Sequence, residues 1–226
     1  MHGDVVVVDD VPTAFSERVI GAFQARQDDL FSLVLSGGST AKKCYERLGP
    51  LSAQQIDWLS VNVYWGDERC VPATDPDSNQ LLGRRELLER VGAANAVYPM
   101  NCSDGPDAYQ LRIGEVGKLD LLHLGVGPDG HTASLFPNSP GLHADPGQLV
   151  CLNEDPSGRN KHPRMSLTFT GIARARLVLV TVIGKEKLDI MTRLVEGEDL
   201  PAQHINADQV VWVVDRAAAP PALLKR

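Results

Sequence analysis

Aromatic residues are scarce in this chain, 5% of its 226 positions, which leaves no stacking platform for single-stranded nucleic acid. Positive charge is short as well. Against 29 Asp and Glu stand 22 Lys and Arg, a formal net charge of −7, so a broad footprint on a phosphate backbone is excluded and no nucleic-acid partner is expected. A bound anion would need a local cluster of donors working against the overall field. The four cysteines, Cys44, Cys70, Cys102 and Cys151, have neither the paired spacing of a zinc site nor the density of a disulfide framework. They read as scattered reduced thiols of a cytoplasmic protein. No apolar run reaches membrane-spanning length, the best being Leu177 to Ile183. Met1-His2-Gly3-Asp4 shows neither the basic segment nor the apolar stretch of a secretory signal, so no membrane partner is expected either. Internal repeats and low-complexity linkers are missing too, and one domain is expected over 1–226. With 43% hydrophobic and 23% charged residues, the composition is globular rather than disordered.

What the chain does have is alternation. Short apolar runs at Val5–Val8, Ser32–Leu35, Val61–Trp65, Asp120–Leu124, Val150–Leu152, Met165–Thr168, Leu177–Ile183 and Val210–Val214 read as strands. Between them lie helical patterns at Thr13–Gln27, Ala41–Leu48, Gln80–Arg90, Asp107–Ile113 and Lys185–Val195, with Asp75–Asn79 as turn and cap and a helical tail. Strands written as continuous apolar runs and separated by helices predict an α/β fold: a three-layer α/β/α arrangement, Rossmann-like, its mostly parallel sheet covered by helices on both faces. Working residues in such sheets sit beyond the C-terminal strand ends, and three loops fit that description.

The first is Ser36-Gly37-Gly38-Ser39-Thr40. Paired glycines let successive N–H groups face one point, the following helix adds positive potential, and both hydroxyls can donate, so the loop suits a phosphate. A plain strand-to-helix turn with a Ser/Thr cap would use the same residues. The second, Gly66-Asp67-Glu68-Arg69, places two acids and an arginine where they would hold a substrate or steady an oxyanion; in isolation it reads equally as a surface ion pair. The third, Gly125 to His131, matches two nucleotide-binding patterns literally. Yet no second strand follows at dinucleotide spacing, and His131 stands where a phosphate-binding loop has lysine. What remains is Asp129 two residues before His131: a candidate general base with a carboxylate to fix its tautomer or to hold a substrate hydroxyl. The bland alternative is an exposed loop histidine. His123, inside an apolar strand, reads as a satisfied core residue.

Taken together, Leu35 to Thr40, Gly66 to Arg69 with Val71-Pro72 and Asp77-Ser78-Asn79 behind it, and Leu124 to Pro137 resemble the 6-phosphogluconolactonase family, as do Arg164 to Thr168 and Gly184-x-x-Lys187. Ala41 stands where the family usually has proline, a helix start that tolerates alanine. The resemblance implies hydrolysis of 6-phospho-D-glucono-1,5-lactone to 6-phospho-D-gluconate, the second step of the oxidative pentose phosphate pathway. The small-molecule sugar phosphate lactone is then the partner, and neither metal nor organic cofactor is needed. His131 would activate water, Asp129 and Asp67 would orient it or hold hydroxyls, and Arg69 would meet the carbonyl or bind substrate. Arg164 and Lys187 would flank the phosphate on the Ser36–Thr40 loop, with Lys185 chemically equal to Lys187. Two alternatives belong to other classes. A glucosamine-6-phosphate deaminase has a similar fold but carries a glutamate five residues past the histidine, where this chain has Phe136. A sugar-phosphate-sensing effector domain would have no use for an intact Asp–His pair.

Overall fold

The apolar runs assemble, in the computed structural model, into one parallel sheet; the structure describes residues 1–224. In chain order the strands are β1 (Asp4–Val8), β2 (Phe31–Leu35), β3 (Val61–Trp65), β4 (Asp67–Arg69), β5 (Ala96–Val97), β6 (Leu119–Leu124), β7 (Val150–Asn153), β8 (Arg164–Leu167), β9 (Ala175–Val182) and β10 (Gln209–Asp215). Seven of them form the main sheet in the order β1-β10-β9-β6-β2-β3-β5, every neighbouring pair parallel. Each residue of β2 and of β6 is buried, which is why those strands are mostly apolar and show no in-out alternation, their polar members Ser32, Asp120 and His123 being buried as well.

Helix α1 (Val11–Gln24) begins earlier than its apolar spacing suggests. Asp10 caps it by accepting from Thr13 N–H, and a proline sits in its first turn. It buries Phe15, Val19, Ile20 and Phe23 against α2 (Gly38–Ser52) and the sheet. Burying side chains of that size contributes about 1.5–3 kcal/mol each. Beyond β3, α3 (Asn79–Gly83) is capped by Ser78, as the turn before it suggests, and continues through a wider π turn at Arg84–Leu88. A helix at Gly105–Val116 is longer than its short apolar pattern, and Lys185–Val195 divides into a 3-10 turn (Lys185–Lys187) and a helix (Leu188–Val195). The tail turns helical at Pro221–Leu224.

Two expectations need correction. The segment Asp67–Arg69 is not a loop: it is a strand in a second, antiparallel sheet of order β4-β8-β7. The strands expected at Val150 and Met165 therefore belong to this smaller sheet. Three charged residues carry no apolar alternation, so nothing local marks β4 as a strand. Nor are all four cysteines reduced thiols. Cys70 and Cys102, 32 residues apart, form a disulfide, while Cys44 and Cys151 are free and buried. Bonding of this kind depends on long-range approach, which spacing in the chain does not report. Among the described residues no helix is long and apolar enough to cross a membrane.

Candidate active site

At the C-terminal ends of β2 and β6 the three glycine-bearing segments converge on a cavity of about 220 Å³. The first wall is the Ser36–Thr40 turn. Gly38 takes φ +90°, a left-handed conformation that favours glycine. A Cβ on Gly37 would lie 1.8 Å from Asn79 Oδ1, so any larger residue would displace the Asn79 side chain. No side chain caps α2, and its first N–H groups stand open at the cavity with the positive end of the helix behind them. Ser39 is exposed and Thr40 half-buried.

The pleat of β4 sorts the second wall. Alternate side chains face opposite ways along a strand, so Asp67 and Arg69 line the cavity while Glu68 turns inward, 1% exposed. Burial pushes the Glu68 carboxyl above its usual range, opposed by hydrogen bonds from Asn79 N–H, Gln80 N–H, Arg69 N–H and the Ser78 hydroxyl. Glu68 thus ties β4 to the start of α3. Asp67 Oδ2 accepts from the Ser134 hydroxyl at 2.6 Å. Arg69 donates through Nη1 to the Asp77 carbonyl at 2.5 Å, and its buried Nε has no partner among the described residues.

On the third wall, His131 Nδ1 lies 2.5 Å from Asp129 Oδ1. Asp129 lines an adjoining pocket rather than the main cavity, which makes it the partner of His131 more directly than a ligand for substrate. Burial would raise the Asp129 pKa, but the hydrogen bond and charge of His131 and two backbone N–H contacts hold it below the usual carboxylate range. His131 itself lines the cavity. With Nδ1 engaged, Nε2 is the ring nitrogen left open, having no partner among the described residues. Phe136, 1% exposed, supports the imidazole from 4.9 Å between ring centroids. Ala133 takes a left-handed φ of 47° beside it.

Of the two lysines at the chain's next turn, Lys187 lines the cavity and donates to the Val126 carbonyl at 2.7 Å, whereas Lys185 is exposed and does not line it. Burial draws the Lys187 pKa down, against the charges of Glu186 and Asp129. Arg164 is not on the cavity wall. It is the cross-strand partner of Arg69 and is buried; its Nε donates to the His162 carbonyl, and its guanidinium carbon lies 6.0 Å from the Phe136 ring centre. Burial first, and the Arg69 charge second, lower its pKa.

Sequence reasoning gave no role to Asn79 or Thr181, yet both line the cavity. Asn79 Nδ2 donates to the Asp67 carbonyl, and Thr181 is the single polar break in the Leu177–Ile183 run, a signal that was there to read. Among the described residues no group of three or more His, Cys, Asp or Glu gathers to hold a metal ion. A larger open groove of about 520 Å³ runs along Gly105–Val116. It lies away from these strand ends and contains no histidine paired with a carboxylate, so the smaller cavity is the better candidate.

A family profile described as glucosamine-6-phosphate isomerases/6-phosphogluconolactonase matches residues 6–212. The 6-phosphogluconolactonase of Mycobacterium tuberculosis is 34% identical to this chain over 93% of it and 94% of the relative. That of Synechocystis is 33% identical, covering 83% of this chain and 82% of its own. Among solved structures, 6-phosphogluconolactonase from Thermotoga maritima superposes with a TM-score of 0.82 at 28% identity, over 94% of this chain and 99% of that one.

Proposed function

This chain belongs to the glucosamine-6-phosphate isomerase/6-phosphogluconolactonase family, and from that premise we propose that it is the lactonase: a hydrolase that opens 6-phospho-D-glucono-1,5-lactone to 6-phospho-D-gluconate in the pentose phosphate pathway. The observation that carries the catalytic reading is the His131–Asp129 pair at 2.5 Å, with Nε2 open to a cavity that also receives an uncapped helix start.

A lactone ester is already activated, so it needs an oriented water, a base and a charge to meet the oxyanion. His131 Nε2 takes one proton from water as its oxygen bonds to the lactone carbonyl carbon. Asp129 holds the Nδ1 proton and balances the imidazolium. The negative charge that gathers on the carbonyl oxygen lies in the field of Arg69. As the tetrahedral species collapses, the bond to the ring oxygen breaks and Nε2 returns its proton there, giving a hydroxyl and a carboxylic acid that ionises in water. The phosphate sits on the N–H groups of Gly38, Ser39 and Thr40, with Lys187 beside it. Arg164, behind Arg69, adds a second positive charge beside that strand without touching substrate. Asp67 receives a sugar hydroxyl. The cytoplasm is the proposed compartment, because a charged sugar phosphate stays where it is made.

The isomerase branch of the same family is the competing assignment, and Phe136 argues against it by placing a buried phenyl ring where a proton-carrying side chain would be needed. The deciding experiment runs two assays on one preparation: lactone hydrolysis corrected for spontaneous opening, and ammonia release from glucosamine 6-phosphate. Hydrolysis proportional to enzyme, with no ammonia, is expected. Ammonia release without lactone turnover would reverse the assignment.

A further inference from the structure

Beneath the Ser36–Thr40 turn lies a buried polar chain that the hydrolysis does not use. The Ser36 N–H donates to the Tyr45 hydroxyl at 2.7 Å, and that hydroxyl lies 3.2 Å from the Ser36 carbonyl and 3.0 Å from His123 Nδ1. His123 Nε2 lies 2.8 Å from Thr181 Oγ1. Tyr45 and His123 are fully buried and Thr181 is 2% exposed. Three elements, α2, β6 and β9, each contribute one member. Burial drives the His123 pKa down to about 3, so the ring is neutral at working pH and has one N–H to give. If Nδ1 accepts the Tyr45 proton, Nε2 carries that N–H and gives it to Thr181, so the chain runs in one direction from the loop to the cavity floor. Phe15 packs against the imidazole at 4.3 Å between ring centres, the two planes tilted by 37°.

We propose that Tyr45 is a positioning residue for the phosphate seat, held in place by His123 and Thr181 and fixing the turn of the Ser36 peptide. By accepting from the Ser36 N–H, the hydroxyl aims the next amides, those of Gly38 to Thr40, at the cavity. The role rests on the reading of this loop as the phosphate seat. Tyr45 makes its hydrogen bonds to Ser36 and His123 and none to the His131 loop, so it acts on binding of the phosphoryl group and not on proton transfer.

The test compares Tyr45→Phe with wild type on 6-phosphogluconolactone and on unphosphorylated gluconolactone. Phenylalanine keeps the ring and its packing. It leaves the Ser36 N–H and His123 Nδ1 without their buried partner, which frees the peptide to turn. The expected result is KM for the phosphorylated lactone raised ~10-fold, with kcat within about threefold. The kcat/KM for gluconolactone stays unchanged, and competitive inhibition by inorganic phosphate weakens in step with KM. Thr181→Val, which removes the far anchor without changing shape, moves KM in the same direction by less. Equal losses on both lactones, or a kcat loss with unchanged KM, would mean a merely structural tyrosine and overturn the proposal, as would no effect at all. A different outcome strikes the underlying reading: if wild type handles both lactones alike and phosphate does not compete, the loop is not the phosphate seat, and the role of Tyr45 falls with it.

Discussion

The placement of His131 can be tested without touching His131, through Gly127. This glycine has no left-handed φ, so alanine there carries no backbone strain. What alanine adds is a methyl group, 2.1 Å from both Cε1 and Nδ1 of the His131 ring. To reach ordinary contact near 3.4 Å, the ring must retreat by about 1.3 Å. Neither retreat nor rotation is free: Nδ1 is held at 2.5 Å by Asp129, and Phe136 supports the ring at 4.9 Å. A misplacement of about 1 Å in a catalytic group costs on the order of 10²-fold in rate, so Gly127→Ala should lower kcat by ~10²-fold, with its thermal midpoint within a few degrees of wild type. His131→Ala removes the base outright and should cost at least as much. The pair closes a cycle. If the methyl group acts only by displacing the imidazole, Gly127→Ala combined with His131→Ala is no slower than His131→Ala alone. Steady-state hydrolysis, corrected for spontaneous opening, measures all three variants. A Gly127→Ala enzyme within threefold of wild type, or losses that multiply in the double variant, would refute the placement of the base.

Three further outcomes follow from the same geometry. Glu68→Gln is not conservative, because each Glu68 oxygen accepts from two donors and an amide NH₂ would face donors; urea unfolding should show a loss of about 1–3 kcal/mol despite the raised pKa of the native carboxyl. Removing the Cys70–Cys102 bond, which spans 32 residues, should cost about 4 kcal/mol by chain entropy, so Cys70→Ser lowers the denaturation midpoint and makes it insensitive to a dithiol reductant that lowers the wild-type value. Because the folded-state pKa of Asp129 lies below its ordinary 3.8, its ionised form contributes stability that is present above that ordinary value and lost as pH falls through the lowered one. The stability gap between wild type and Asp129→Asn should therefore be constant near neutrality and close only in strong acid; a gap that closes above pH ~5 contradicts the pairing.

The parts legible in the sequence share one property: their cause is local. A mostly apolar run such as Asp120–Leu124 announces a strand buried on both faces, and glycines after such strands announce close backbone passage, which Gly37 and Gly127 both show. The Asp129–His131 pair is legible for the same reason, being two residues apart in one turn. What stayed hidden depends on distant partners. β4 is a strand because Arg164–Leu167 pairs with it from about a hundred residues away, and Cys70 is oxidised because Cys102 is brought beside it. Arg164 shows the limit on the site itself: its charge marks it for an anion, but only the register opposite Arg69 puts it behind that residue and off the cavity wall. Tyr45 reads as one more core position of an amphipathic helix, since a pattern of apolar spacing has no way to register where its hydroxyl ends.

Phe136 connects the two halves of the assignment, the fold shared by the whole family and the chemistry that divides it. The sheet's C-terminal edge supplies a glycine turn, a cation and a histidine. In the proposed reading, what lies under the imidazole bears on which reaction follows. Here it is a phenyl ring, 1% exposed, touching His131 on one side with the Arg164 guanidinium 6.0 Å from its centre. Moving a proton between neighbouring carbons and expelling ammonia takes several acid–base groups in sequence, whereas hydrolysis takes one base and a water. A carboxylate at this depth would be desolvated, and the Arg164 guanidinium on the side away from the cavity would draw it into an ion pair and away from substrate. One substitution at 136 therefore cannot turn the lactonase arrangement into the deaminase one: the buried neighbours that hold Phe136 would have to change with it.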